Sequence, residues 1–384
     1  MPNRNNQADS RSLAALRKEW AVLVVIAFVL LVVGWRVLHT GWGAEYALRW
    51  AAAAGLISAY AFFHLWRNLR DNRHKTPGSP LFADLGTANR LTFARAIFNA
   101  MLVGFLFGPW PWGWLAWAPA VLYLVSALMD YVDGWVARVT GRTTVLGEAL
   151  DMKWDGAGLL AAGTLSVLYG QTPAFFLLVG LARYLYLFGL WVQQRRGLPV
   201  YDLPPSRFRR AIAGMQMGFV AVVLLPLFRP PETHAAAVLF ALPLLIGFVR
   251  DFLWVIGVIG RGSKPTPVQK REPARLQLAL RGLLAALLVN LIFHSTGQGN
   301  LPPGLLIIAA VGAVLVLLGA AGRAAALAVL LMTGLALQRD PMEWRYWLIL
   351  PVSTLVFFFG TGVWSLWRPE EWLIDHRAGE AREG

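Results

Sequence analysis

Cysteine and charged residues are scarce in this chain of 384 residues. The absence of cysteine excludes disulfide bonds and thiolate catalysis and leaves the cellular compartment undetermined. The six histidines show no spacing typical of metal ligands. Asp, Glu, Lys and Arg make up only 15% of the residues, whereas a water-soluble domain carries about 25%. The low charge excludes an ordinary soluble protein of this size.

In place of charge the chain has 57% hydrophobic residues, arranged in about twelve apolar runs. A run of about 20 apolar residues can cross a bilayer as a helix, so the pattern predicts an all-α polytopic membrane protein. The predicted spans cover, approximately, residues 20–38, 45–66, 91–109, 113–136, 146–169, 173–193, 211–228, 235–258, 276–294, 303–321, 324–337 and 345–367.

The remaining charges are mostly positive, 35 Lys and Arg against 21 Asp and Glu. The basic residues cluster between apolar runs, as they do in cytoplasmic loops of membrane proteins. We interpret this basicity as membrane topology and contact with anionic lipids, and nucleic acid is not predicted as a partner. An even number of spans places both termini in the cytoplasm, which predicts a multi-pass protein of the cell (inner) membrane.

Four aspartates are concentrated where one predicted span ends and the next begins. Asp130 and Asp133 are spaced i, i+3 on the first helix, and Asp151 and Asp155 are spaced i, i+4 on the second. Each pair shares a helix face, so two helices joined by a short polar turn would direct four carboxylates into one volume. Ionised carboxylates are costly in a bilayer unless they are paired. Because all the ligands are oxygens, the cluster predicts Mg²⁺ or Mn²⁺, as one or two ions.

Small residues and one arginine accompany the aspartates. Gly134, Ala137 and Gly147 remove side chains from the lining, so a bulky group could approach the backbone closely. Arg138 lies one turn beyond Asp133 and suits a phosphate oxygen. The cluster therefore has the residues to bind a phosphorylated molecule next to a metal.

The spacing D-x-x-D-G-x-x-A-R, eight residues, G-x-x-x-D-x-x-x-D resembles the signature of the CDP-alcohol phosphatidyltransferases at all eight defined positions. Upstream, the stretch from Asn89 to Arg95 resembles the start of the first core helix in that family, P-N-x-L-T-x-x-R, with Ala88 in place of the proline. The resemblance covers about residues 85–260.

Enzymes of this family transfer the phosphatidyl group of a CDP-linked lipid to an alcohol and release CMP. The resemblance implies a six-helix core with extra N- and C-terminal transmembrane helices. It implies that Asp130, Asp133 and Asp151 are metal ligands and that Asp155 is the base, which also contacts the second of two metal ions. The residues expected to bind CDP are Asn89, Thr92, Arg95, Gly134, Ala137, Arg138 and Gly147.

The acceptor is less defined. The family often begins its fifth core helix with G-K-x-K-T-x-x-Q; here Arg210 and Gln216 keep the interval, but Ile212 and Ala213 replace the second Lys and the Thr. A phosphorylated acceptor needs at least two basic contacts. Three arginines of the core could supply them, which favours glycerol 3-phosphate. Serine, inositol, inositol phosphate, another phospholipid and a CDP-choline type of donor stay open. The candidate acceptor-binding residues are Arg183, Arg209 and Arg210.

Two other classes of membrane protein also carry intramembrane carboxylates. A membrane prenyltransferase binds a diphosphate through Asp-rich helix ends and magnesium, but has no need for the glycine, alanine and arginine framework. A cation-coupled transporter typically places its carboxylates near the bilayer midplane on broken helices or inverted repeats. Here they lie at a helix–turn–helix edge, which favours the transferase.

The chain is expected to contain three parts. Residues 1–75 form a cytoplasmic segment with two transmembrane helices, residues 76–262 the catalytic core, and residues 263–384 a basic linker, about four transmembrane helices and a charged tail. The expected partners are CDP-diacylglycerol, an alcohol acceptor and the lipid bilayer, and a homodimer stays open. The active site is expected to face the cytoplasm.

Overall fold

The computed structural model describes residues 3–203, 206–259, 274–298, 301–362 and 364–370. These residues form twelve α-helices and no β-sheet. The helices are α1 (Asn3–Gly41), α2 (Ala44–Arg67), α3 (Gly86–Gly104), α4 (Ala118–Val139), α5 (Val145–Leu168), α6 (Leu177–Arg195), α7 (Arg207–Val223), α8 (Glu232–Val255), α9 (Ala274–Gln298), α10 (Pro303–Leu318), α11 (Gly322–Leu337) and α12 (Trp344–Phe359).

Six helical segments in the described ranges are long and apolar enough to cross a bilayer. Helices α10, α11 and α12 are apolar but shorter, at 16 residues each. The prediction of an all-α polytopic membrane protein is confirmed. The six segments are Gln7–Gly41, Gly86–Phe107, Gly113–Val139, Ala174–Arg195, Glu232–Val255 and Ala274–Thr296.

Helix boundaries differ from the predicted spans where polar residues continue a helix or a glycine ends it. Helix α1 begins at Asn3 rather than near residue 20, since the polar residues before the predicted span are helical as well. Leu16 in this polar part is fully buried. The last predicted span, 345–367, ends as a helix at Phe359, where Gly360 takes a φ of 72°. That φ favours glycine and stops the helix. The predicted charged tail after residue 370 and most of the basic linker lie outside the described residues.

Successive helices run in opposite directions, so the starts of α3, α5 and α7 lie at the same end of the bundle as the ends of α4, α6 and α8. Ion pairs across this end show the arrangement: Arg95 of α3 contacts Asp130 of α4, and Arg209 of α7 lies 3.2 Å from Asp251 of α8. We call this the carboxylate end.

The α1–α2 hairpin packs tightly on α3. Trp50 of α2 is 1% exposed, and its indole N–H donates to the carbonyl of Met101 at 2.8 Å. The indole fills a notch formed by two glycines: a Cβ on Gly34 would lie 2.6 Å from the ring, and one on Gly104 would overlap it. The hairpin therefore shares one apolar core with the helices that follow.

Helices α9–α12 build an apolar core of their own. Arg281, near the start of α9, is buried and donates to carbonyls at the end of α10, including Val316 at 3.0 Å and Leu317 at 2.5 Å. The four-helix unit meets the rest of the bundle mainly at α8, where the Phe240 and Phe358 ring centroids are 5.2 Å apart. The part of the chain that carries the carboxylates is thus α1–α8.

We expect Trp50→Ala to lower the free energy of unfolding by about 3–5 kcal/mol, because it empties the glycine notch and removes the hydrogen bond to Met101. Unfolding of the detergent-solubilised protein would measure this. Trp114→Ala is the control, since Trp114 is 71% exposed, and it should change stability by less than about 0.5 kcal/mol. Equal losses in both variants would contradict the role of the notch.

Candidate active site

The aspartates lie where α4 ends and α5 begins. The turn between these helices is short, residues 140–144, so the two acidic faces meet. Asp130, Asp133 and Asp151 each offer a carboxylate oxygen, and these oxygens lie within 4.8 Å of one another. We call these three residues the carboxylate group. Asp133 is buried, Asp130 is half-buried and Asp151 is exposed. The carboxylate group is therefore closed at Asp133 and accessible from outside at Asp151.

Arg95 and Thr92 of α3 contact the carboxylate group from its buried side. The Arg95 guanidinium is almost fully buried; its Nη1 contacts Asp130, and its Nη2 lies 2.6 Å from Asp151 and 4.0 Å from Asp133. The Thr92 hydroxyl donates to Asp133 at 2.7 Å. Both residues were predicted to bind CDP, and in the structure both contact the carboxylates.

The carboxylate group fits a divalent cation. Three carboxylates converge with one guanidinium among them, so the group retains an excess of negative charge. All of its donor atoms are oxygens, the ligands that Mg²⁺ and Mn²⁺ prefer. The predicted ligands Asp130, Asp133 and Asp151 are therefore suited to hold such an ion.

Asp155 lies one turn deeper along α5 and has different surroundings. It is not in the carboxylate group, and its Oδ2 lies 3.5 Å from Nη1 of Arg183 on α6. Arg183 also donates to the carbonyl of Met152 at 2.8 Å. The Asp155 side chain is 40% exposed, so its carboxylate remains accessible beside the carboxylate group.

Gly147 is explained by close packing between α3 and α5. A Cβ at this position would overlap the side-chain oxygen of Asn89 and lie 3.1 Å from the Thr144 hydroxyl. The Asn89 amide donates to Thr144 and to Asn72, each at 3.0 Å. The Thr144 hydroxyl accepts from the Gly147 N–H at 2.9 Å and caps α5. Asn89 and Gly147 thus lock the turn that positions Asp151.

The other small residues of the predicted CDP pocket lie on α4. A Cβ on Gly134 would stand 3.2 Å from Nη1 of Arg138, so this glycine leaves room for the arginine side chain. The Ala137 carbonyl accepts from the N–H of Arg142 at 3.0 Å and helps close the turn. All the predicted CDP-binding residues therefore lie on α3, on α4 or at the start of α5, around the carboxylate group.

Residues just before α3, outside the signature, hold the turn between α4 and α5; we call the contact between Asp84 and Arg142 the clamp. Asp84 pairs with Arg142 through two side-chain contacts of 2.5 and 3.0 Å, and the Arg142 guanidinium lies 4.4 Å from the centre of the Phe82 ring. Asn72 is fully buried and donates to the carbonyl of Asp84 at 2.8 Å. Neither residue was predicted, because Asp84 lies 58 residues from Arg142 in the chain and no local pattern marks Asn72.

Two of the candidate acceptor residues pair with different aspartates. Arg183 pairs with Asp155, as described above. Arg209 lies 3.2 Å from Asp251, which also pairs with Arg250 at 3.0 Å. Arg210 is exposed at the start of α7. Gln216, whose interval from Arg210 resembles the family pattern, is 1% exposed, and its amide has no hydrogen-bond partner among the residues that the structure describes.

Residues 85–249, which contain all the predicted site residues, match the family model described as CDP-alcohol phosphatidyltransferase. These residues form a CDP-alcohol phosphatidyltransferase domain. The domain begins just before α3 and reaches into α8, so the predicted family is confirmed. Helices α1, α2 and α9–α12 lie outside it.

One relative of the transferase domain is the protein named CDP-diacylglycerol–glycerol-3-phosphate 3-phosphatidyltransferase from Bacillus subtilis (strain 168). The two are 28% identical over 112 residues, which is 27% of this chain. The match spans 58% of the length of the relative. No solved structure matches the chain.

The clamp on the turn predicts a specific pH dependence. The hydrogen bond from Arg142 is the main cause that lowers the pKa of Asp84 below its ordinary value. An unfolded aspartate titrates at about 3.9. Asp84 therefore stabilises the fold above about pH 4, and this contribution is lost as the pH falls through the lowered pKa.

We expect Arg142→Met to reduce the acid-induced loss of stability, because Asp84 then titrates nearer its ordinary pKa. Melting temperatures measured from pH 7 to pH 3 would show a shallower decline below pH 4 than in the unmodified protein. Arg196→Met, at an exposed arginine beyond α6, should keep the original profile. Identical profiles for both variants and the unmodified protein would rule out the clamp as a titrating pair.

Proposed function

We propose that this protein transfers the phosphatidyl group of CDP-diacylglycerol to the hydroxyl group of an alcohol and releases CMP. The observation that carries the proposal is the convergence of Asp130, Asp133 and Asp151 around Arg95 within a CDP-alcohol phosphatidyltransferase domain. Phosphoryl transfer needs neutralised phosphate charge, an aligned nucleophile and a base, and the site has candidates for each.

In the proposed reaction the acceptor oxygen forms a bond to the phosphorus that carries the diacylglycerol. The bond from that phosphorus to the oxygen bridging it to CMP breaks, and CMP leaves with the bonding electrons. The hydroxyl proton passes to a base, for which we propose Asp155. Asp155 is half-buried with an accessible carboxylate beside the carboxylate group and does not belong to that group, which suits a base better than a primary metal ligand.

Mg²⁺ or Mn²⁺ held by Asp130, Asp133 and Asp151, with Asp155 near a second ion, would neutralise charge on the phosphates. Arg138, on the last turn of α4, is proposed to bind a phosphate oxygen of CDP. Ala137 and Gly134 leave the backbone of α4 accessible beside it. Asn89, Thr92, Arg95 and Gly147 are proposed to act on CDP through the positions of the aspartates, because their side chains or backbone contact the carboxylates and the turn.

Glycerol 3-phosphate is the proposed acceptor. Its phosphate would need basic contacts, and Arg183, Arg209 and Arg210 are the candidates. The name of the Bacillus subtilis relative includes glycerol 3-phosphate, which supports this choice. Serine, inositol and a second phospholipid are the acceptors that the assay must compare.

We propose that the carboxylate end faces the cytoplasm, together with both termini. Among the described residues, the links between helices at the opposite end contain two Lys or Arg residues, Arg229 and Arg339. Basic residues favour cytoplasmic loops, and a cytoplasmic site has access to soluble CDP and to lipid in the same leaflet. In the described residues, the basic residues of the links at the carboxylate end are Arg70, Arg73, Lys75, Arg142 and Arg196.

We expect purified protein to release CMP from CDP-diacylglycerol and glycerol 3-phosphate with Mg²⁺ or Mn²⁺, and to stop in EDTA. Asp155→Asn should lower the rate by about 10²–10⁴-fold through loss of the base, while CDP-diacylglycerol still binds. Glu148→Gln is the control, since Glu148 is an exposed acid on the same helix as Asp155 and pairs with Lys75 at 2.7 Å, away from the carboxylate group. No CMP release with any alcohol tested would reject the proposed function.

The acceptor phosphate is tested by Arg210→Ala. A charge-assisted contact contributes about 1.5–3 kcal/mol, so the KM for glycerol 3-phosphate should rise about 10- to 100-fold. The KM for CDP-diacylglycerol should stay unchanged. Arg196→Ala provides a matched exposed arginine at the same end of the bundle. If both variants show the same small effect, Arg210 does not bind the acceptor phosphate.

A further inference from the structure

A cavity of about 720 Å³ lies between α2, α3, α5 and α6. Its volume falls in the range of about 300–1,000 Å³ typical of small-molecule sites. Two of its walls come from the first and third helices of the transferase domain and one from α6. The remaining wall comes from α2, which precedes that domain. Its apolar lining includes Ile57, Val103, Leu106, Leu160, Ala161 and Leu187.

The polar groups of the cavity lie close to the catalytic aspartates. Lys153 and Arg183 both line it. Arg183 is 3.5 Å from Asp155, and the Lys153 ammonium lies 4.6 Å from the centre of the Tyr60 ring on α2. The cavity is therefore cationic where it adjoins the site and apolar beyond it. An amphipathic anion with an apolar tail matches this division.

The length of the cavity matches one leaflet of a bilayer. Its lining along α5 runs from Ala149 to Ala161, a distance of about 18 Å at 1.5 Å per residue. The hydrocarbon core of a bilayer is about 30 Å thick, so an acyl chain in one leaflet spans about 15 Å. From Lys153 to Ala161 the lining extends about 12 Å, so a chain that begins near Lys153 would have most of its length in the apolar part.

We propose that this cavity holds one acyl chain of the diacyl lipid substrate, with the ester end of the chain at Lys153 and with α2 as the outer wall. The proposal rests on the proposed function for the identity of the lipid. It gives a role in lipid selection to a helix outside the transferase domain. Acyl chain length and shape are then limited by residues of α2, Ile57 and Tyr60 among them.

Neighbouring residues on α2 provide a matched pair for the test. Ile57 lines the cavity, whereas Leu56 is 71% exposed on another face of the same helix turn. Ile57→Trp places a large ring in the cavity, and Leu56→Trp places the same ring outside it. Ala157→Phe fills the cavity from α5 and serves as a second variant if Ile57→Trp does not fold.

The probe is CDP-diacylglycerol that carries a diazirine on one acyl chain, photolysed with the full-length protein in detergent and without an acceptor. We expect crosslinks on the cavity faces of α2 and α5. Labelling there should fall at least tenfold in Ile57→Trp or Ala157→Phe and stay unchanged in Leu56→Trp. Binding of water-soluble CDP-glycerol should be equal in all variants, because it has no acyl chain.

Three results would overturn the proposal. Equal labelling in Ile57→Trp, Ala157→Phe and Leu56→Trp would show that the chain lies elsewhere. Competition by phosphatidylcholine as strong as by CDP-diacylglycerol would show that the cavity takes bulk lipid only. Because the chain has no cysteine, Leu187→Cys reports on a second copy: a disulfide-linked dimer would show that another chain covers the cavity.

Failure of the proposed function would look different. In that case CMP release would be absent with every alcohol. Specific labelling of α2 by the photoprobe, sensitive to Ile57→Trp, would still support a lipid-chain site. Conversely, CMP release without labelling of α2 would leave the proposed function standing and remove the acyl-chain site.

Discussion

Negative charge in an apolar helical bundle needs a cation nearby, and Arg95 provides one from inside the bundle. Its buried guanidinium reaches Asp130 on α4 and Asp151 on α5, so one side chain of α3 fixes the relative positions of three helices. Removing the positive charge would leave carboxylates facing one another across those helices. The geometry of the site and the packing of the bundle thus depend on the same contact.

Much of the fold and part of the site could be predicted from the sequence because both have short-range causes. Apolar runs mark the helices, and spacings of three and four residues place Asp130 and Asp133, or Asp151 and Asp155, on one helix face. The contacts that complete the site have no such pattern. Asp84 lies 58 residues from Arg142 in the chain, and only the folded structure brings them together.

Sequence spacing also left open what each signature residue touches. Arg95 resembles a phosphate ligand in the family pattern, whereas its contacts in the structure are with carboxylates. The four aspartates look equivalent in the sequence, but Asp155 lies apart from the carboxylate group and beside Arg183. A helical repeat defines a face, whereas the partners on that face depend on how neighbouring helices pack.

The N-terminal segment is closely connected with this architecture. Glu19 of α1 accepts from the Leu85 N–H at 2.9 Å, just before α3 begins, and Asn72 supports Asn89 from the following loop. The apolar cluster behind the aspartates contains residues of α1, α2, α3 and α5. By contrast, α9–α12 have a core largely of their own, so their contribution to the transferase domain passes mainly through α8.

The contact between Gly147 and Asn89 couples two positions that lie far apart in the chain. A side chain at 147 requires space that the amide at 89 occupies, so the consequences of changing either residue depend on the other. A smaller residue at 89 would admit alanine at 147, at the expense of the hydrogen bonds to Asn72 and Thr144. Across related chains, these two positions would be expected to vary together, as partners at a helix–helix interface do.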